Sequence, residues 1–222
     1  MQELRSPLTC ADLGFCRSVK ILRIIKQPFS KNFRLGDHLN AELARSTWTQ
    51  FDAAIAFVKR SGVQFIYDGL HNFSKKGDVD IAVGVDLRGT SIEGLQLLLQ
   101  AVNPRGQISV VHSPGPSTFH PKIYAFRNDV AAEVIIGSGN LTAGGLFTNF
   151  EGSLIASLDL TINDDRAFLD DLDNLLAQFS NFEAKFSWSK NVIFRGARGA
   201  FALVFIFILF PTIKEQFIYF QF

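Results

Sequence analysis

The residues able to do chemistry cluster in one stretch of the chain. His120-Pro121-Lys122 is followed by Gly137-Ser138-Gly139-Asn140-Leu141-Thr142 and then by Asn149-Phe150-Glu151. A nucleophile, a cation, a small-residue segment rich in donors and a carboxylate thus lie close together in sequence. Attack by an imidazole nitrogen on phosphorus gives a phospho-histidine, and a carboxylate on the other ring nitrogen fixes the tautomer and supports the developing positive charge. Glu151 is the candidate for that carboxylate. Lys122, Asn140 and Ser138 are the candidates to hold the non-bridging oxygens, whose charge needs fixed donors in the transition state. Together these types read as phosphodiester chemistry.

The elements that must position them follow from local composition. Residues 118–126 (TFHPKIYAF) are rich in β-branched and aromatic types and read as a strand, on which His120 and Lys122 share one face about 6.5 Å apart along the backbone. Pro121 removes a ladder donor, which suits a strand end or an edge. A second strand, 133–136, leads into Gly137 and Gly139, where glycines permit close backbone approach to an oxyanion. Residues 141–145 read as a short helical turn whose free amides add to an anion site, with Thr142 among its donors. Asn149 and Glu151, two apart, share a face at the start of a strand over 150–158.

These residues resemble the phospholipase D superfamily, through His120-x-Lys122, then Gly137-Ser138-x-Asn140, then Glu151, in that order. The resemblance covers roughly residues 33–180, with the motifs in its last third. The chain carries one copy, which resembles the single-motif nuclease branch, including restriction-endonuclease-like members that act as homodimers. The resemblance implies binding of phosphate by Gly137, Ser138, Gly139, Thr142 and Asn149, and catalysis by His120, Lys122, Asn140 and Glu151. It departs from the common HxKxxxxD pattern: Arg127 stands five positions after Lys122, and Asp129 comes two later.

The reading is therefore a metal-independent phosphodiesterase, a DNA endonuclease with no cofactor. In-line displacement needs a proton donor for the leaving oxygen opposite the nucleophile, and one imidazole cannot occupy both places. The second imidazole is then His120 of another copy, in a homodimer with one composite site. A phospholipid hydrolase or transferase and a catalytically weak binding module are the competing readings.

Composition sets the remaining bounds. At 222 residues and 47% hydrophobic content the chain can bury a substantial core. A net charge of +1 gives no global basic footprint, so nucleic-acid affinity must come from local groups such as Lys59, Arg60, Lys75, Lys76, Arg88 and Arg127. Cys10 and Cys16 are too few for a disulfide framework, and no metal pattern accompanies them. The first thirty residues carry five basic groups, Arg5, Arg17, Lys20, Arg23 and Lys26, and no uninterrupted apolar segment of the secretory type, so the expected location is cytoplasmic.

Strand-like and helix-like segments alternate along the chain. Residues 51–58, 79–85 and 107–112 read as strands. Residues 62–73, 91–101 and 163–179 read as helices, the last from its Asn163 cap, early acidic residues and apolar Phe168, Leu169, Leu172, Leu175 and Leu176. This predicts an α/β fold with a mixed, largely parallel sheet between helices. Residues 46–50 read as a cap and helix start, with Trp48 in the core. Asp86 and Arg88 follow a strand end where α/β proteins place ligand groups, and also where they place structural turns. His112 reads as a loop-entry histidine.

The expected organisation is an N-terminal extension over 1–32, a catalytic domain over 33–190 and a hydrophobic tail over 191–222. Eleven consecutive apolar residues, 200–210, are short of the roughly 20 that span a bilayer. A buried strand, a weak membrane anchor and a non-native or truncated end, the last preferred and leaving a recognition domain missing, all fit this tail.

Overall fold

In a computed structural model, which describes residues 21–113, 116–179 and 183–187, the chain folds as an eight-stranded sheet with helices on both faces. The elements in order are β1 (Ile21–Gln27), α1 (Leu35–Ala44), β2 (Gln50–Ile55), α2 (Arg60–Ser74), β3 (Asp78–Gly84), α3 (Ile92–Ala101), β4 (Gly106–Val111), β5 (Lys122–Arg127), β6 (Ala131–Gly137), β7 (Glu151–Asp159), α4 (Asn163–Phe179) and β8 (Glu183–Ser187). The strands lie in the order β1-β7-β6-β5-β2-β3-β4-β8.

Alternation along the strands builds two apolar layers. Phe51, Ile55, Ile81, Val83, Tyr124, Phe126 and Ile135 face α1, α2 and α3, which supply Leu39, Leu43, Ile66, Leu70, Phe73 and Leu98. The opposite faces carry Ala54, Ile123, Ala125, Val134, Ala156 and Leu158 against Leu169 and Leu172 of α4. Helix boundaries follow local chemistry. The Ser91 side chain accepts from the Gly94 amide at the start of α3, and at the start of α1 the Asp37 carboxylate accepts from the Arg34 amide and guanidinium.

The α/β sandwich agrees with the reading above; the pairing within it differs. Only β2 with β3 and β3 with β4 run parallel, while the other five ladders are antiparallel. The reason lies in the connections. Three residues join β5 to β6, which permits a hairpin and forbids a crossover. Residues 45–49 form a turn, not a helix start, and Trp48 is buried with its indole N–H donating to Glu42 Oε2 at 2.9 Å.

Within the expected N-terminal extension, Ile21–Gln27 pairs with β7 along its full length. Residues 1–20 and the expected tail at 191–222 lie outside the described residues. Among the described residues, no helix is long and apolar enough to cross a membrane.

Candidate functional site

One end of the sheet gathers the motif residues. Lys122 opens β5 opposite Ile55, the last residue of β2; β6 ends at Gly137; and β7 opens at Glu151 opposite Gln27, the last residue of β1. Strand β5 starts four residues later than expected, at Lys122. Pro121 lacks an N–H, and its carbonyl accepts the Ala56 amide at 2.8 Å as the ladder begins. His120 therefore stands ahead of the strand, exposed, and meets Lys122 by a different route from a shared strand face.

The Lys122 ammonium lies 2.7 Å from Nδ1 and 3.0 Å from Nε2 of His120, and donates to the His120 carbonyl at 2.9 Å. Only 7% of Lys122 is exposed. Burial lowers its pKa from the ordinary lysine value, and the nearby charge of Glu151 works against that shift. The ring of Phe57 packs edge-on to His120 at 5.4 Å and lies under the Lys122 ammonium at 6.0 Å.

Phe57 also reaches the second motif. Its backbone N–H donates to Asn140 Oδ1 at 3.1 Å, which fixes the amide plane and leaves the Asn140 NH2 as a donor. The Leu141 amide donates to the Phe57 carbonyl, and the Lys59 amide to the Leu141 carbonyl. Phe57 thus stands between the two motifs and orients a side chain in each. Sequence reasoning placed it in the 51–58 strand and assigned it no part in the site.

Glu151 departs from its expected partner. Its carboxylate accepts from the Ser138 hydroxyl and, at 3.2 Å, from Asn149 Nδ2. Within the chain it orients Ser138 and Asn149 in place of His120.

The phosphate cradle expected from the small residues is also different. A Cβ on Gly137 would strike Ser153 Oγ at 2.2 Å, and one on Gly139 would strike Leu35 at 2.6 Å and the Gly145 carbonyl at 2.7 Å. These glycines let the motif pack against its own scaffold. Thr142 Oγ1 accepts from the Gly145 amide, the Thr142 amide donates to the Asn140 carbonyl, and the Ala143 amide to Ser61 Oγ. The amides of Thr142, Ala143 and Gly145 are thus engaged within the chain, bracing the short turn over Gly144–Thr148. Lys122 and Asn140 thus stand as donors at this end, beside Ser138 and Asn149, which are bound to the Glu151 carboxylate.

The candidate cations divide by sheet end. Lys59 and Arg60 follow Phe57 at the start of α2, and Arg88 follows β3, all at the site end. There, Asp86 binds His112 Nδ1 at 2.6 Å and the Ser113 amide at 2.9 Å, tying the loops after β3 and β4. Lys75 and Lys76 follow the C-terminus of α2 at the other end. Arg127, at the far end of β5, contacts Asp52 at 2.7 Å and Asp173 of α4 at 2.7 Å. The position where the common motif has an acid thus carries an ion triad joining the sheet to α4.

Among the described residues, one group of His, Cys, Asp and Glu brings potential ligand atoms together: His38, Glu42 and Glu133, within 4.8 Å of one another. It is buried and internally bonded. His38 Nε2 lies 2.6 Å from Glu133, Arg23 donates to Glu133 at 2.8 Å, and Arg45 lies 3.2 Å from Glu42.

No protein-family model and no curated sequence matches the chain. Solved structures do. Nuc from Salmonella typhimurium, a phospholipase D family member, matches with a TM-score of 0.54 at 18% identity over 76% of this chain and 99% of its own. NucT from Helicobacter pylori gives 0.55 at 15% identity, covering 75% and 99%. Polyphosphate kinase from Porphyromonas gingivalis gives 0.50 at 15% identity, covering 77% of this chain and 29% of its own. At these identities the likeness establishes the fold.

Proposed function

We propose that this chain, which has the phospholipase D fold, is a metal-independent phosphodiesterase that cuts DNA through a phospho-histidine on His120. The observation that carries this reading is the contact between exposed His120 and buried Lys122, set beside an Asn140 amide whose orientation is fixed. A ring nitrogen of His120 attacks phosphorus, forming P–N as the bond to the leaving oxygen breaks and that oxygen takes a proton from the imidazolium of a second copy's His120. Water, giving its proton to that same imidazole, then attacks phosphorus, and the P–N bond breaks to free the first imidazole. Lys122 and the Asn140 NH2 hold the non-bridging oxygens through both steps.

DNA is favoured as substrate by Lys59 and Arg60 at the same sheet end, where exposed cations neutralise neighbouring phosphates. Metal independence follows from the donor set. Lys122 and the Asn140 NH2 already supply the charge stabilisation that a bound cation would give the non-bridging oxygens.

The site is completed by a second copy. Glu151 is bound within its own chain to Ser138 and Asn149, and one imidazole cannot serve both sides of phosphorus. Ile24, Leu154 and Ile136 lie in register across β1, β7 and β6, all exposed, and form an apolar strip leading to the site end that a second copy would cover. The catalytic unit is accordingly residues 33–190 together with strand β1. Plasmid cleavage in excess EDTA by the wild type and His120→Ala tests this reading. It expects cleavage by the first alone.

A further inference from the structure

Gly89 is a glycine for the sake of another side chain. Its φ of −72° is one that any residue adopts, yet a Cβ there would lie 1.9 Å from Cδ1 and 2.2 Å from Cγ of Phe57. The Phe57 ring is the one that packs edge-on to His120 at 5.4 Å and lies under the Lys122 ammonium at 6.0 Å. It has little room to retreat. The Phe57 N–H donates to Asn140 Oδ1 at 3.1 Å and its carbonyl accepts the Leu141 amide at 3.1 Å, so the backbone is fixed and only rotation of the side chain, away from His120, would relieve the clash.

The turn that carries Gly89 is held at both ends. At Asp86 the carboxylate binds His112 Nδ1 at 2.6 Å and the Ser113 amide at 2.9 Å. At Thr90 the hydroxyl donates to the Gly84 carbonyl at 2.6 Å and accepts the amide of Val58, the residue after Phe57, at 3.0 Å. Between these anchors Leu87 and Arg88 both stand in the left-handed region with φ of 55°. Residues other than glycine persist there only where the surroundings over-determine the backbone. Leu87 is 67% exposed, so the turn is not shaped by burial of its own apolar side chain.

We propose that the turn over 86–90 positions the nucleophile: Gly89 seats the Phe57 ring against His120 and Lys122, and Asp86 and Thr90 hold Gly89 where it does so. The proposal rests on the phosphodiesterase reading and names positioning residues for that site. The lever is short. Phe57 touches the imidazole and the cation at once, so a shift of its ring moves the nucleophile relative to the group that holds the phosphoryl oxygens, and a misplacement of about 1 Å can cost on the order of 10²-fold in rate. A turn that served the fold alone would act on stability and leave the geometry of His120 unchanged. His112 is a partner of the anchor and not a second catalytic imidazole. Its strand, β4, is separated from β5 by β2 and β3, which puts it ~14 Å away at about 4.8 Å per strand, too far to share one phosphate.

Plasmid cleavage kinetics of the wild type, Gly89→Ala, Phe57→Leu, the double variant of these two, Asp86→Ala and Asp86→Asn test this. They are run beside NMR of the histidine ring signals, those of His120 assigned by their loss in His120→Ala. Gly89→Ala should lower kcat about tenfold or more with KM within about twofold, and should shift the His120 signals while those of buried His38 stay. In the Phe57→Leu background, where the ring is gone, the same alanine should cost less than about twofold. Asp86→Asn should keep most of the activity that Asp86→Ala loses, because its Oδ1 accepts the Ser113 amide and its NH2 donates to a His112 Nδ1 that carries no proton. Unmoved His120 signals in Gly89→Ala overturn the proposal, as does a loss from Gly89→Ala that is the same with and without the Phe57 ring. Equal losses in Asp86→Asn and Asp86→Ala overturn it too. Should Gly89→Ala not fold, the Asp86 variants decide by the same signals. A wild type that cuts no DNA overturns the phosphodiesterase reading instead, and the ring signals then still decide whether the turn places His120.

Discussion

The ammonium of Lys122 lies 2.7 Å from Nδ1 of His120, with the ring of Phe57 packed against both groups. An ammonium donates only, and this one stands within reach of both ring nitrogens and of the His120 carbonyl. In the proposed reaction the same cation holds the non-bridging oxygens of the phosphoryl group. Burial of Lys122 strengthens its interaction with an anion and disfavours its charge in the empty site.

That trade gives the first prediction. Lys122 has a folded pKa below its unfolded value, so the folded state binds fewer protons and stability rises as pH increases between the two. Lys122→Met should therefore flatten the alkaline part of the stability profile, with a Tm at or above that of the wild type at neutral pH. Turnover should fall about 10²-fold or more, as for loss of a transition-state donor. Thermal melts from pH 7 to 10, run beside plasmid cleavage, check both effects; a lower Tm at every pH contradicts them.

A second prediction concerns Arg127. Burial pushes the Asp52 carboxyl up to about 6, against the opposing pull of Arg127. A raised folded pKa means that Asp52 contributes stability below its unfolded value near 3.8, and that this contribution is lost as pH rises through about 6. Arg127→Leu removes the compensating charge and should cost about 3 kcal/mol at pH 7. Asp52→Asn in the same chain should recover part of that loss. Urea titrations of the single and double variants measure it, and additive losses contradict the coupling.

The third prediction addresses assembly. The protein should be a homodimer by light scattering, and dimers mixed from wild type and His120→Ala should be inactive, because each composite site needs both imidazoles. A fully active monomer, or mixed dimers with half the wild-type rate, contradicts the shared site. Glu151→Gln should lower activity, since its amide can still accept from Ser138 but then turns an NH2 toward Asn149 Nδ2.

How much of this was legible from the residues depended on how local each signal was. Helix α4 could be read at both ends, because its cap, acidic first turn and apolar spacing lie within its own seventeen residues. The order of the motif residues was equally plain, since the chemistry sits in one contiguous stretch. Strand β1 was missed: ILRIIKQ mixes charges into an apolar run, and its identity as a strand depends on pairing with β7, far along the chain. The glycines of the motif were read as space for a ligand, and the close approach of Ser153 and Leu35 gives them a packing role that spacing did not reveal. Thr142 looked like a ligand donor and caps the turn that follows it. These choices are decided by what packs behind a residue, which spacing does not encode. The antiparallel run β5 to β7 was partly readable, because the three-residue link after Arg127 leaves room for a hairpin alone.

The central claim is tested most directly by trapping the covalent intermediate. Wild-type protein mixed with an oligonucleotide in excess EDTA and quenched within the first turnover should gain the mass of a nucleotide fragment, mapped by peptide mass spectrometry to His120. That adduct should be labile to acid and stable to base, as a P–N bond requires. His120→Ala should carry no adduct, cut about 10³-fold more slowly or worse, and melt with the wild type, because the exposed imidazole adds little to packing. Cleavage without any adduct on His120, or activity in His120→Ala within tenfold of wild type, contradicts the account.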